Sequence, residues 1–193
     1  MRLLLIRHAE SEGNAEGRFQ GQRDYPLSQL GIEQAIRLAA RLKPRPLDHI
    51  YASPLTRASH TARLVAEIKG MTVLPLPGVM EYDFGELSGL SWAEIEQRHP
   101  ELAAAQRARG RSYVPWPGEE GREIFRERVS RALWALEEDH GRETVAVFSH
   151  GGAIAVFCQS VLGLNGELRA PFMVENTAIF EIEVREGRGT IWT

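Results

Sequence analysis

Two short apolar runs, near opposite ends of the chain, each finish in a histidine. The first is Leu3-Leu4-Leu5-Ile6-Arg7-His8, and the second is Val145-Ala146-Val147-Phe148-Ser149-His150, followed by Gly151-Gly152. Neither run carries a turn signal, and each reads as a strand buried on both faces. A core strand has no use for the polar residues at which these runs stop. In an open α/β sheet, ligands bind outside the carboxyl ends of the strands. Two imidazoles at that edge, with Arg7 beside one and a Gly-Gly helix start beside the other, point to a site for an anion.

The segments between the two runs alternate between strand and helix. A polar loop from Glu10 to Pro26 precedes a helix capped by Ser28, with Ile32, Ala35, Ile36, Ala39, Ala40 and Leu42 at helical spacing. Pro44 and Pro46 end it. Leu47 to Ala52 reads as a strand, and Ser53-Pro54 as the cap and first turn of a helix that stops at Gly70. Thr72 to Leu76 is a third strand. Ile124 to Glu138 and Gly152 to Leu162 are helices flanking the strand Thr144 to Ser149. Met173 to Val184 and Thr190 to Trp192 read as closing strands joined by a hairpin through Glu186-Gly187-Arg188-Gly189.

Residues 78–121 break this rhythm with Gly85, Gly89, short helical pieces from Ser91 and Pro100, and the turn-rich Pro115-Trp116-Pro117-Gly118. The expected architecture is a three-layer α/β/α sandwich with a mostly parallel sheet. It is a single domain over 1–193, with 78–121 as a lid-like insertion at the sheet edge.

Composition narrows the function classes. With 193 residues, 43% hydrophobic and 25% charged, the chain has an ordinary globular make-up. A net charge of −3 argues against a general nucleic-acid binder. The single Cys158 allows no internal disulfide. The apolar start is too short for a signal-peptide core, and no apolar run approaches the length that spans a bilayer. A cytoplasmic protein with neither membrane nor nucleic-acid partner is expected. A homodimer is compatible with the sequence, although nothing marks the edge strand or helix face that would pair.

Four stretches offer chemistry, and each has an ordinary structural alternative. Arg7-His8 combines a forked cation with a nucleophile or proton carrier, or is a strand-end His beside a salt-bridged Arg. Arg57 lies in the first turn of its helix, where a cation is disfavoured unless it faces an anion or solvent. Glu81-Tyr82-Asp83-Phe84-Gly85-Glu86 supplies a carboxylic acid near the sheet edge, or a solvated loop. Ser149-His150-Gly151-Gly152 opens a helix whose amides suit an anion. His49, His60, His99 and His140 match no motif and read as surface or helix-end residues. No Cys/His or carboxylate cluster suited to zinc is visible.

Together and in this order, the stretches resemble the histidine phosphatase superfamily, the phosphoglycerate mutase-like proteins, in its small phosphatase branch. The Arg-His-Gly signature appears as Arg7-His8-Ala9, with Ala in place of Gly. The downstream pattern is met by Asn14, Arg18-Phe19-Gln20-Gly21, Asp24, Pro26-Leu27-Ser28 and Gly31. Ser53-Pro54-Leu55-Thr56-Arg57-Ala58, the acid motif at Glu81, Phe84-Gly85 and Gly89, and Ser149 to Gly152 complete it.

The resemblance implies a phosphomonoesterase without metal or cofactor, acting on a small phosphorylated metabolite. Candidates are a sugar phosphate, a phosphoglycerate derivative, phosphoserine or a ribazole phosphate. It implies His8 as nucleophile, Glu81 as proton carrier, and Arg7, Arg57 and His150 as the phosphoryl clamp. Asn14, Gln20, Gly21 and the Gly151 amide would add substrate contacts.

Two other readings compete. A phosphoglycerate mutase dependent on 2,3-bisphosphoglycerate carries Tyr and Lys where Phe84 and Trp92 align, and a longer insertion. Their absence favours the phosphatase. A non-catalytic phospholigand-binding protein would have lost His8, Glu81 or His150, and all are present. In the insertion, Arg107, Arg109, Arg111, Tyr113 and Trp116 are candidates for the pocket mouth. The alternative for Trp92 and Trp116 is a pair of rings packed under the lid.

Overall fold

Strand register places the two histidines side by side. In a computed structural model, which describes residues 1–108, 114–164 and 173–192, β1 (Arg2–Arg7) pairs in parallel with β4 (Thr144–Ser149). Leu3 lies opposite Val145 and Arg7 opposite Ser149, so His8 and His150 leave the sheet together. β2 (His49–Ala52) flanks β4 in parallel with Ala52 opposite Phe148, which brings Ser53 to the same edge. β3 (Val73–Pro75), β5 (Ile179–Arg185) and β6 (Arg188–Trp192) complete a six-stranded sheet in the order β3-β2-β4-β1-β5-β6. The last two strands are antiparallel.

Side-chain alternation along the central strands makes the three layers. Leu3, Leu5, Val145 and Val147 pack against Phe125, Val129, Leu133 and Leu136 of α6 (Arg122–His140) and Ile154 and Phe157 of α7 (Gly151–Val161). Leu4, Ile6, Ala146 and Phe148 face the opposite way. They meet Leu38, Ala39 and Leu42 of α2 (Gln29–Leu42) and Ala62, Val65 and Ala66 of α3 (Thr56–Lys69). Each buried Leu, Ile or Phe contributes about 1.5–3 kcal/mol, so the loops at the sheet edge rest on a rigid base.

Several boundaries differ from the sequence reading. Ser53 does not cap α3. The N-cap is Leu55, which makes no side-chain cap bond, and Asp24 from the preceding loop accepts the Thr56 amide at 2.7 Å instead. The expected strand from Met173 begins only at Ile179. In the segment before it, Thr177 takes φ 60° and its amide bonds back to the Arg7 carbonyl at 3.1 Å. The closing hairpin turns on Glu186-Gly187 alone, both with positive φ, because Arg185 pairs with Arg188.

The insertion folds on a small core of its own. α4 (Trp92–Arg98), capped by Ser91, and α5 (Pro100–Ala108) follow a short helix α1 (Glu12–Ala15) in the loop beneath. Leu87, Leu90, Ile95 and Ala103 are buried there against Phe19, Phe84, Trp92 and Trp116. Gly85, at φ 54°, lies so close to the 117–119 turn that a Cβ would sit 2.3 Å from the Pro117 carbonyl oxygen. Only glycine permits the bond from the Glu86 amide to that oxygen at 3.0 Å, which closes the insertion on itself.

Candidate active site

His8 follows β1 and is 3% exposed. Its Nδ1 lies 2.7 Å from the Ala9 carbonyl oxygen. A carbonyl only accepts, so Nδ1 carries the proton and Nε2 keeps its lone pair. The backbone is fixed from both sides: the His8 amide donates to Ser149 at 2.9 Å, and Asn176 donates its side-chain amide to the His8 carbonyl at 2.9 Å. The Ala9 methyl, in place of the signature glycine, is absorbed in a cluster with Leu27 and Ala35.

His150 is the N-cap of α7 and has no solvent exposure. Its ring stands 5.2 Å from that of His8, tilted by 59°. Its Nε2 lies 2.8 Å from Ser53 Oγ, which itself accepts the Leu55 amide. When Ser53 donates its proton to Nε2, the remaining imidazole proton falls on Nδ1, which is buried without a partner. Burial, then the charge of Arg57, holds both imidazoles well below the ordinary histidine value. Arg7 pushes the same way.

Both arginines are tied down by backbone. Arg57, 1% exposed, donates to the carbonyls of Gly21 at 2.7 Å and Arg23 at 3.0 Å, and so holds the 18–26 loop on the first turn of α3. Arg7 donates to the Val174 carbonyl at 2.5 Å. The Nε of each is buried without a partner. Burial lowers both guanidinium values and Glu81 opposes it, but an Arg does not lose its proton in a protein. An unsatisfied buried donor costs about 1–3 kcal/mol. Arg7 Nε, Arg57 Nε and His150 Nδ1 are three such donors on groups that act on one another electrostatically.

Glu81 completes the arrangement. Its carboxylate accepts the Gly152 amide at 3.0 Å and its neighbour Tyr82's amide at 2.8 Å, which seats it over the positive end of α7. Its carbonyl accepts Arg128 at 3.2 Å and Gln22 at 3.3 Å. Arg128, on α6, also binds the carbonyls of Gly78 and Met80 at 3.0 Å each, and both carboxylate oxygens of Glu120 at 2.8 and 3.0 Å.

The structure thus gathers Arg7, His8, Arg57, Glu81, His150 and Gly151 at one edge. Gly151 has Arg7 Nε 3.6 Å from where its Cβ would be. Asn14 and Gln20 join through Ser11, whose hydroxyl lies 2.7 Å from Gln20 Oε1 and 3.0 Å from Asn14 Oδ1. Both keep their side-chain NH2 groups apart from those bonds. Trp92 and Trp116 are packed rings, and Arg107 is paired with Glu96. Arg109, Arg111 and Tyr113 lie outside the described residues.

Sequence reasoning missed Ser53 as a partner of His150, Asn176 as a brace on His8, and Arg128 as the anchor of the Glu81 loop. Ser53 lay inside a motif already quoted; the other two carry no local signal.

Fold and site define a three-layer α/β protein whose sheet edge gathers two buried imidazoles, two arginines and a carboxylate. The model of the histidine phosphatase superfamily (branch 1) matches residues 3–193, and the chain belongs to that family. It is 34% identical over 191 residues to phosphoserine phosphatase 1 of Hydrogenobacter thermophilus, covering 99% of this chain and 90% of that one. It is 32% identical over 191 residues to the adenosylcobalamin/alpha-ribazole phosphatase of Salmonella typhimurium, with 99% and 94% covered. Among solved structures, the putative alpha-ribazole-5'-P phosphatase of Escherichia coli superposes with a TM-score of 0.86 at 30% identity, covering 100% of this chain and 94% of that one.

Proposed function

We propose that this chain is a metal-independent phosphomonoesterase that hydrolyses a small phosphorylated metabolite through a phosphohistidine on His8. One observation carries the reading most directly. The bond from His8 Nδ1 to Ala9 leaves Nε2 as a bare nucleophile beside the buried Arg57, the half-buried Arg7 and a second imidazole. Charged donors with no partner are costly in a core, and a phosphoryl group with several acceptor oxygens is the ligand that satisfies them.

In the first step, Nε2 attacks phosphorus in line, forming the N–P bond as the ester P–O bond breaks. Protonated Glu81 gives its proton to the departing alkoxide. In the second step, Glu81 takes a proton from water, the resulting hydroxide displaces the histidine, and inorganic phosphate leaves. Arg7, Arg57 and His150 hold the equatorial oxygens throughout, with Asn14 and the Gly151 amide as further donors. Such a preorganised clamp is usually the largest catalytic term, and the acid–base step adds about 10²–10⁴-fold. Gln20 and Gly21 lie where the substrate's organic part enters.

Residues 78–121 serve as the lid over this edge within a single domain. Phosphoserine and ribazole phosphate, which the names of the two relatives carry, are the first substrates to try. The packing of Phe84 and Trp92 favours hydrolysis, because Phe84 has no polar side-chain atom and the Trp92 indole N–H is committed to Glu96, which leaves neither for the second phosphate of a mutase intermediate. The chain's site of action is taken to be the cytoplasm; among the described residues no helix is long and apolar enough to cross a membrane.

The test is p-nitrophenyl phosphate hydrolysis in the presence of EDTA, for the native chain and His8→Ala. Activity that resists EDTA and disappears with His8 is the expected result. Activity that needs a metal or survives the substitution overturns the proposal.

A further inference from the structure

His49, His140 and Glu143 come together at the opposite end of the sheet from the phosphate edge. No spacing in the sequence links them. His49 opens β2, His140 ends α6, and Glu143 immediately precedes β4. Ser53 and His150 stand at the far ends of the same two strands. At about 3.3 Å per residue the two places are about 13 Å apart along β2 and about 23 Å apart along β4.

The geometry is that of three ligands facing one point. His49 Nε2 lies 3.1 Å and His140 Nδ1 2.7 Å from the same oxygen, Glu143 Oε2. One ligand atom from each residue falls within 4.8 Å of the others. Zinc bonds of about 2.0–2.2 Å in a tetrahedron separate ligand atoms by about 3.4 Å. The present contacts of 2.7 and 3.1 Å are somewhat shorter than that. The two ring centroids lie 4.2 Å apart with the planes tilted by 38°, and a nitrogen of each ring faces the same Glu143 oxygen.

The surroundings favour a cation. The Tyr51 hydroxyl lies 2.9 Å from His140 Nε2, where it accepts the N–H that a metal-bound Nδ1 leaves on the other nitrogen. The carbonyl end of α6, 19 residues long, finishes at His140, and the negative end of a helix attracts positive charge. His140 is 8% exposed, whereas His49 and Glu143 reach solvent, which leaves an open entry path and a fourth position for water.

We propose that His49, His140 and Glu143 form a structural site for a divalent transition metal of the zinc class. Bound there, the ion staples the end of α6 to β2 and to the entrance of β4, and takes no part in phosphoryl transfer. The ion and a proton compete for the same imidazole nitrogens, so binding weakens in acid.

The experiment titrates the full-length, EDTA-stripped protein with Zn²⁺ by calorimetry and follows Co²⁺ uptake by its visible spectrum. The expected result is one equivalent bound, with a higher unfolding temperature. His49→Ala and Glu143→Gln, which alter the two more exposed ligands, each weaken binding by about 100-fold. His8→Ala binds as the native chain does, and phosphatase activity is the same with and without the ion. Failure to bind, undiminished binding by both ligand variants, or loss of binding in His8→Ala overturns the site. The His8→Ala arm separates this outcome from any failure of the proposed phosphatase activity.

Discussion

The carboxylate of Glu81 accepts the backbone N–H of Gly152 at 3.0 Å, and a Cβ on Gly152 would stand 2.3 Å from Glu81 Oε1. The acid is therefore positioned by the absence of a side chain. Alanine in a helix is ordinarily favoured over glycine by about 1 kcal/mol, but here its methyl displaces the Glu81 carboxylate. Gly152→Ala is expected to melt near the native temperature. Its kcat on an alkyl phosphate should fall about 100-fold, the order of an acid–base contribution. The loss should be smaller on p-nitrophenyl phosphate, whose leaving group needs little protonation. Steady-state kinetics on both esters, with a thermal melt, check this.

Acid should weaken the fold through the two buried imidazoles. Burial, and next to it Arg57, holds His8 and His150 below the ordinary value of 6.5. Between their folded values and about 6.5 the unfolded chain binds protons that the folded chain refuses, so stability rises with pH across that window. The contribution is complete above it and is lost as pH falls below about 6.5. Melting temperatures from pH 8 to 5, in a buffer without phosphate, should fall in the native protein. They should fall less steeply in His150→Asn. Equal slopes would count against the account.

Ser53 fixes the tautomer of His150. Ser53→Ala leaves Nε2 buried without its donor, at a cost of about 1–3 kcal/mol. The Nδ1 proton is then no longer held toward the phosphoryl oxygens. We expect kcat/KM to fall about tenfold, the equivalent of 1.4 kcal/mol, with a smaller change in the melting temperature. A variant with native kcat/KM would show that the tautomer is set elsewhere.

Ala9→Gly restores the glycine of the signature. It removes a methyl buried against Leu27 and Ala35 and frees the unfolded backbone, so a loss of about 1–2 kcal/mol is expected in urea denaturation. Turnover should stay at the native level, because the bond from His8 Nδ1 uses the residue 9 carbonyl and not its side chain.

The central strands were legible because Leu3 to Ile6 and Val145 to Phe148 are buried on both faces and read as unbroken apolar runs. Ser28, Ser91 and Gly70 marked helix ends, since each makes a local bond or takes a local dihedral that its own chemistry favours. Ser53 misled for the complementary reason. A serine before proline looks like a cap, whereas its hydroxyl is committed to His150, 97 residues away. Asp24 took over the capping through a contact that spans 32 residues. Asn176, Arg128 and the His49–His140–Glu143 cluster are likewise long-range pairings, and periodicity carries no trace of them. The residues gathered at the sheet edge were readable because four stretches reach that edge in a fixed order.

The covalent intermediate is the claim on which everything at this edge rests. A turnover mixture with a ³²P-labelled ester, quenched in alkali to preserve phosphohistidine and digested, tests it most directly. The account predicts label on the peptide carrying His8, its absence in His8→Ala, and its accumulation when Glu81→Gln slows the attack of water. Turnover without a labelled His8 peptide, or label on another residue, would contradict it.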